Sequence, residues 1–313
     1  MTPVGLVSHP GYLSHLTGFT HPERPERLQA ITDHLIQAGL MKDLVPVEPR
    51  PAERKWIELI HSASYVSRVE ETCRSGRAII DSIDTGISLH SFDVSLLAAG
   101  GAMAAADAIM ADRLRHAFCA VRPPGHHALR ELAMGFCLFN NIAITARYLQ
   151  RHHRLSRILI VDWDVHHGNG TQEAFYDDPS VLFFSIHQYP FSPGTGSTAE
   201  TGEGEGEGFT VNAPMEAGCG DDDYLKVFEE VLAPRALGFK PDFILISAGF
   251  DAHRADPLGG MNLTEKGYAR LTDIVRSWAA DLCGGRILSL LEGGYNLQAL
   301  ARSVESHLGS LKQ

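Results

Sequence analysis

One stretch constrains this chain more than any other: Arg157-Ile158-Leu159-Ile160-Val161-Asp162-Trp163-Asp164-Val165-His166-His167-Gly168-Asn169-Gly170. Ile158 to Val161 reads as a buried strand, a short apolar run of the kind found in sheets covered on both faces. Asp162, Asp164 and His166 then recur at every second position. Extended backbone alternates its side chains between faces. The spacing therefore predicts three polar side chains on one face, with Trp163 and Val165 on the other. Gly168-Asn169-Gly170 stops the strand. Two carboxylates and an imidazole are thus placed at the carboxyl end of a buried strand, the edge at which open α/β sheets bind ligands. An unpaired buried charge is costly, and a divalent cation removes that cost. A salt-bridged strand end is the alternative that this stretch alone leaves open.

A chain of 313 residues fits one large α/β domain or two small ones. With 44% hydrophobic and 21% charged residues it reads as an ordinary soluble globular protein. A net charge of −11 and the lack of a long basic run argue against nucleic acid as a partner. The acidity suits a cationic substrate, but acidic surfaces more often serve solubility. Cys73, Cys119, Cys137, Cys219 and Cys283 show no CxxC spacing. That pattern argues against a thiolate zinc site or a disulfide scaffold and for reduced thiols in a cytoplasmic protein. The amino-terminal residues lack the charged and apolar regions of a signal peptide. The Ala-rich run Leu96 to Met110 is broken by Gly100, Gly101 and Asp107, so it reads as a packed helix rather than a membrane span. No membrane partner is expected, and the oligomeric state is left open.

Strand-like runs at Val4–Ser8, Ala117–Arg122, Val181–His187, Phe209–Pro214, Asp242–Asp251 and Arg286–Leu291 alternate with helical patterns. Such alternation predicts a mostly parallel sheet with helices on both faces. No linker or internal repeat divides the chain, so one domain over 1–313 is expected. Pro25 suits a helix start, with Arg24 and Arg27 read as ion-pair residues. Asp81 to Phe92 reads as an irregular pocket rim. Gly135 to Asn141 reads as the opening of a helix, and Gly202 to Gly208 as a mobile acidic loop.

Four strands end in polar residues: His126 and His127; Asp162, Asp164 and His166; Asp251; and Tyr295. In a parallel sheet these ends share one edge. Asp164, His166 and Asp251 make a divalent-metal set that leaves positions open for water and substrate. Zinc would activate water and polarise a carbonyl there, and Fe²⁺ also suits two carboxylates and an imidazole. The His126-His127 pair suits proton transfer at neutral pH. Asp162 and Asn169 are placed to orient the two rings. Tyr295, flanked by Gly293 and Gly294, suits an oxyanion donor.

The stretches RPPGHHA (122–128), GFCLFNN (135–141), VDWDVHHGNGTQ (161–172), SAGFDAHRADPLGG (247–260) and LEGGYNL (291–297), with HPERPERL near the amino terminus, resemble the zinc-dependent histone deacetylase family. The likeness is strongest to its class II and bacterial amidohydrolase members. It implies the arginase-deacetylase fold around an eight-stranded sheet. It implies zinc on Asp164, His166 and Asp251. His127 becomes the general base and later the acid, His126 its electrostatic support, and Asp162 and Asn169 their partners. Tyr295 becomes the oxyanion donor. Gly135 would receive the substrate amide N–H through its carbonyl, and Phe136 would form one tunnel wall. The second wall departs from the family pattern: Phe191-Ser192-Pro193-Gly194 leaves Phe191 in that role or the tunnel wider on one side.

The resemblance also implies structural potassium. One ion falls by Asp162, Asp164, His166, Ser185 and Ile186, and a second by Phe175, Asp178, Val181 and Phe209, largely through backbone carbonyls. The expected reaction is hydrolysis of an acyl, foremost acetyl, amide on a lysine side chain of a peptide or protein. An acetylpolyamine amidohydrolase is the near alternative. Its relatives carry an acidic gatekeeper where this chain has Leu258, although the three glutamates of Gly202–Gly208 could attract a cation instead. An inactive acyl-lysine-binding module and an arginase-like ureohydrolase are more distant readings.

Overall fold

The computed structural model describes residues 3–313. Among the described residues ten strands occur in chain order: β1 (Val4–Val7), β2 (Leu44–Pro46), β3 (Ile79–Ile80), β4 (Ser82–Gly86), β5 (His116–Cys119), β6 (Ile158–Asp162), β7 (Val181–Gln188), β8 (Thr210–Met215), β9 (Phe243–Ala248) and β10 (Ile287–Leu291). Eight of them form one sheet in the order β2-β1-β5-β10-β9-β6-β7-β8. Every pairing in it is parallel, so the sheet is wholly rather than mostly parallel.

Every residue of the neighbours β5, β10, β9 and β6 is buried. That pattern belongs to strands covered on both faces, which is why they read as unbroken apolar runs. The helices Ser91–Met110, Asn141–His152 and Glu265–Cys283 pack onto these central strands. Ser91–Met110 has the length and apolarity of a membrane span, yet 72% of its most apolar window is buried inside the fold, so it is a core helix.

Three local expectations are corrected. Gly135 to Phe139 do not open a helix. Gly135 and Phe136 sit at φ 55° and 70°, in the left-handed region that right-handed helices exclude. The helix starts at Asn141, where Asn140 caps it by accepting the Ala143 N–H at 3.0 Å. The irregular stretch Asp81–Phe92 contains β4, which pairs antiparallel with β3 in a hairpin turned at Asp81, at φ 57°. Ile83 points into solvent there, so the stretch lacks the apolar alternation that marks a strand. The loop Gly202–Gly208 is packed, not loose: Glu203 N–H donates to Tyr176 O at 2.8 Å, and Gly206 is buried against Asp177 and Asp178. A helical run from Asp221 to Phe239 has one wide turn at Phe228–Leu232 just before Pro234, which has no N–H to give.

Candidate active site

The polar residues expected at four strand ends do meet at the carboxyl edge of the four central strands, but β6 stops at Asp162. Asp164 and His166 therefore do not share a strand face with it. A stepped loop sets them instead: Asp162 Oδ1 accepts the Asp164 N–H at 3.0 Å, and Asp164 Oδ1 accepts the His166 N–H at 2.9 Å. Each carboxylate bonds the backbone two residues on, the habit of Asp in turns. The period of two survives because these turns, rather than a pleat, repeat every two residues.

Donor atoms of Asp164, His166 and Asp251 lie within 4.8 Å of one another. His166 Nδ1 stands 3.1 Å from Asp164 Oδ1 and 3.2 Å from Asp251 Oδ2. The remaining oxygens are fixed from behind, Asp164 Oδ2 by the Gly293 N–H at 2.7 Å and Asp251 Oδ1 by the Val165 N–H at 2.9 Å. Asp251 Oδ2 is buried without a hydrogen bond of proper geometry. An orphaned buried carboxylate oxygen facing an imidazole nitrogen and a second carboxylate fits a divalent metal ion. Electrostatics agree. Burial opposes a charge on His166, yet Asp164 and Asp251 outweigh it and push its pKa up to about 10. Burial, then the Asp164 charge, pushes Asp251 up to about 7. The spot attracts positive charge strongly.

The tandem histidines have opposite environments. His126 Nδ1 lies 2.9 Å from Asp162 Oδ2. Burial pulls His126 down, but the charges of Asp162 and Asp164 prevail and hold it well above the ordinary histidine range. His127 Nδ1 lies 2.7 Å from Asn169 Oδ1. An amide oxygen only accepts, so Nδ1 carries the proton and Nε2 is left with a lone pair. Burial, then the neighbouring His126 and His166, drives His127 well below the ordinary range. With ring centroids 4.0 Å apart, one imidazole is held charged and the other neutral. Titratable neighbours pushed in opposite directions mark acid–base chemistry.

Tyr295 is half-buried and its backbone is held from two sides. Arg27 donates to Gly294 O at 2.7 Å and Glu292 O at 2.5 Å, with its guanidinium carbon 5.0 Å from the centre of the Tyr295 ring. Asp256 Oδ2 accepts the Tyr295 N–H at 2.6 Å. Burial, then the Asp251 charge, raises the Tyr295 hydroxyl well above its ordinary pKa, so it stays a donor. Phe136 meets the Tyr295 ring edge-on at 5.7 Å, while Phe191 stacks on His166 at 5.3 Å. The two phenyl rings thus flank the donor and the metal group respectively. Gly135 packs so tightly on the His127 ring that a Cβ would collide with it. Its carbonyl takes the Cys137 thiol at 3.2 Å. Leu258 is half-exposed on the turn that Asp256 also holds, its N–H 2.9 Å from Asp256 Oδ1.

Comparison with known proteins places this geometry. The histone deacetylase domain matches residues 21–311. The chain belongs to the histone deacetylase family. It is 45% identical over 296 residues to a probable deacetylase of Archaeoglobus fulgidus, covering 94% of this chain and 82% of that protein. It is 43% identical over 294 residues to the human polyamine deacetylase HDAC10, covering 90% of this chain but 43% of that longer protein. The crystal structure of the HDA15 HD domain superposes with a TM-score of 0.94 at 40% identity, covering 99% of this chain and 90% of that one. The protein is a hydrolytic deacetylase with the arginase-deacetylase fold.

The positions that the family resemblance assigned to potassium fall in two places. The β6–β7 register sets Asp162 beside Ser185, with Ile186 next along the buried strand. At the opposite, amino edge, Phe175 O accepts from Asp178 N at 3.1 Å and Asp178 O from Val181 N at 3.4 Å. Phe209 O takes the Phe183 N–H at 2.9 Å. The Asp178 carboxylate is bonded by Ser180 and by Arg147. The packed loop Gly202–Gly208 lies at this amino edge too, against the residues that lead into β7, so its glutamates do not face the site.

Three supporting residues escaped the reading of the sequence. Arg27 does pair with Glu23, at 3.2 Å, but its other contacts fix the Tyr295 turn. Glu292 accepts the N–H groups of Gly125 at 2.7 Å and His126 at 3.1 Å, tying the histidine loop to β10; burial pushes its carboxyl up to about 7. Asp256 is the third. Each acts through backbone groups from a distant segment, and no sequence spacing reveals that. Their one signal was membership of the motif stretches HPERPERL, LEGGY and ADPLGG.

Proposed function

We propose that this protein hydrolyses an acyl amide, foremost acetyl, on a lysine side chain of a peptide or protein, releasing a carboxylic acid and the free amine. The observation that carries the reading is the convergence of three metal donors, a charged and a neutral histidine, and a tyrosine hydroxyl on one sheet edge. Asp164, His166 and Asp251 would hold zinc, and Fe²⁺ suits the same donors. A bound divalent ion supplies Lewis-acid polarisation of the carbonyl and acidifies water.

The rest is work for the chain's own groups. His127 Nε2 takes a proton from the attacking water and returns it to the leaving amine, while Asn169 keeps the ring in the right tautomer. His126, charged against Asp162, adds positive field beside it. The Tyr295 hydroxyl donates to the oxygen on which charge develops. Gly135 receives the substrate amide N–H, Phe136 and Phe191 line the acyl-lysine stem, and Leu258 stands at the mouth. Structural potassium at the two sets described above belongs to the same reading, as do one catalytic domain over 1–313 and a cytoplasmic location with its five cysteines reduced.

Likeness to a polyamine deacetylase keeps acetylated small amines as the second reading. Leu258 in the gatekeeper place, and the far position of the Gly202–Gly208 glutamates, favour the lysine substrate. Rates on acetyl-lysine peptides, longer acyl-lysines and acetylpolyamines, with metal content measured on the same sample, test both. Chelator-sensitive turnover fastest on acyl-lysine is expected. Faster turnover of acetylpolyamines reverses the order, and binding without turnover leaves only an acyl-lysine-binding module.

A further inference from the structure

Ten large apolar side chains are exposed among the described residues, and six of them sit on three neighbouring segments: Leu16, Phe19, Ile79, Ile83, Leu89 and Leu132. Phe19 is 100% and Ile83 91% exposed, values at which a large side chain packs on nothing in its own fold. The segments are bolted together. Leu16 N–H donates to Ser88 Oγ at 3.2 Å, and Ser88 Oγ donates to Ser14 O at 3.2 Å. Gly86 packs directly on the Thr17 backbone, where no side chain would fit. His21 bonds Glu23 O and Asp84 O, both at 2.9 Å, and the Ala133 N–H reaches Asp81 Oδ2 at 2.8 Å.

This platform adjoins the site. The His21 ring meets Phe136 edge-on at 4.7 Å, and Leu132 precedes Phe136 by four residues on one loop. Phe136 in turn meets Tyr295. The segment that carries Phe19 thus reaches the Phe136 wall through His21, and the segment that carries Leu132 continues into it. The hairpin's carboxylates are engaged within the fold, Asp81 by Arg68 and Asp84 by the hydroxyls of Ser82 and Thr85. Large apolar side chains exposed together on joined segments mark a place where something binds, and these segments border the Phe136 wall, where residues flanking an acyl-lysine would lie.

We infer that Phe19 and Ile83, with the apolar residues around them, form a docking platform for apolar side chains that flank the acyl-lysine of an extended polypeptide. The inference rests on the acyl-lysine reading and deepens it: the platform selects a polypeptide with apolar flanks and gives no recognition to a free polyamine.

The test uses matched acetyl-lysine peptides whose flanking residues are Leu and Phe, or Gly and Ser, or Asp, together with a capped acetyl-lysine that has no flanks. Neither Phe19 nor Ile83 belongs to the catalytic machinery, so Phe19→Asp, Ile83→Asp and the double variant should turn over the capped acetyl-lysine as the unaltered protein does. The expected result is a kcat/KM at least about tenfold higher for the apolar flanks, carried by KM and lost in the double variant, as covering one large apolar side chain predicts. Equal kcat/KM across flanks overturns the platform, as does a preference that survives the double variant. Sedimentation of both proteins supplies the remaining check: a dimer that dissociates in the double variant, with flank preference unchanged, assigns the patch to a second copy and overturns the inference. No turnover of any amide instead rejects the acyl-lysine reading itself.

Discussion

Asp256 and Tyr295 are locked together through the backbone. Asp256 Oδ2 accepts the N–H of Tyr295 at 2.6 Å and of Asn296 at 3.2 Å, while Oδ1 accepts that of Leu258 at 2.9 Å. One buried carboxylate therefore sets both the turn that carries Tyr295, the proposed oxyanion donor, and the turn that carries Leu258. Asp256→Asn should lower kcat by about tenfold or more, because it turns an amide N–H toward donors and lets the hydroxyl drift. Bound metal should be unchanged. Steady-state kinetics with elemental analysis reads both, and a full wild-type kcat would show that Tyr295 needs no such anchor.

Tyr295→Phe removes the donor and keeps the ring that packs on Phe136. Turnover of an unactivated acetyl-lysine peptide should fall on the order of 10²-fold, with metal content and melting temperature preserved. A near-wild-type rate would end the oxyanion role.

Asp251→Ala and His166→Ala should each lose the metal stoichiometrically. Both leave two donors of the group of three, and Asp251 is buried and faces the other two donors. Full metal retention by elemental analysis would contradict the ligand set.

Asn169→Asp replaces a neutral acceptor 2.7 Å from His127 Nδ1 with a carboxylate. A negative neighbour favours the protonated imidazole, so the His127 pKa should rise. The acidic limb of the kcat/KM profile should then move to higher pH. An unmoved limb would mean that His127 is not the group titrating there.

His307 is fully buried between Thr272 and Ser289, at 2.7 and 2.9 Å, and burial lowers its pKa to about 3. In the unfolded chain it titrates at about 6.5. Between those values the unfolded state binds a proton that the folded state does not, so stability falls as pH drops from about 6.5 toward 3. His307→Gln should flatten the stability–pH curve by about 1.4 kcal/mol per pH unit in that window. Denaturant titrations at pH 7, 5.5 and 4.5 measure the slope.

Much of the site was legible because its chemistry sits in short contiguous stretches. Asp164 and His166 stand two apart, and His126 is adjacent to His127, so their grouping needs no tertiary information. Spacing alone puts Asp162, Asp164 and His166 on one strand face, whereas two successive Asp turns place the latter two. A period of two cannot tell a pleat from repeated turns. The hairpin of β3 and β4 was missed because its outward residue, Ile83, is apolar and its turn is a single left-handed Asp.

By itself the sequence determined which candidate side chains group together, that buried parallel strands deliver them to one edge, and the family that the chain resembles. The grouping and the strands follow from spacing within a few residues, and the family from the resemblance of whole motif stretches. Tertiary structure alone decided that Arg27 and Asp256 grip the Tyr295 turn, that Glu292 holds the histidine loop, and that the acidic loop lies at the far edge. It also joined the segments that carry Phe19 and Ile83 and set His21 against Phe136. The physical reason is common to all of these. Each depends on backbone groups or surfaces brought together from segments tens to hundreds of residues apart, and only the packed sheet sets their distances.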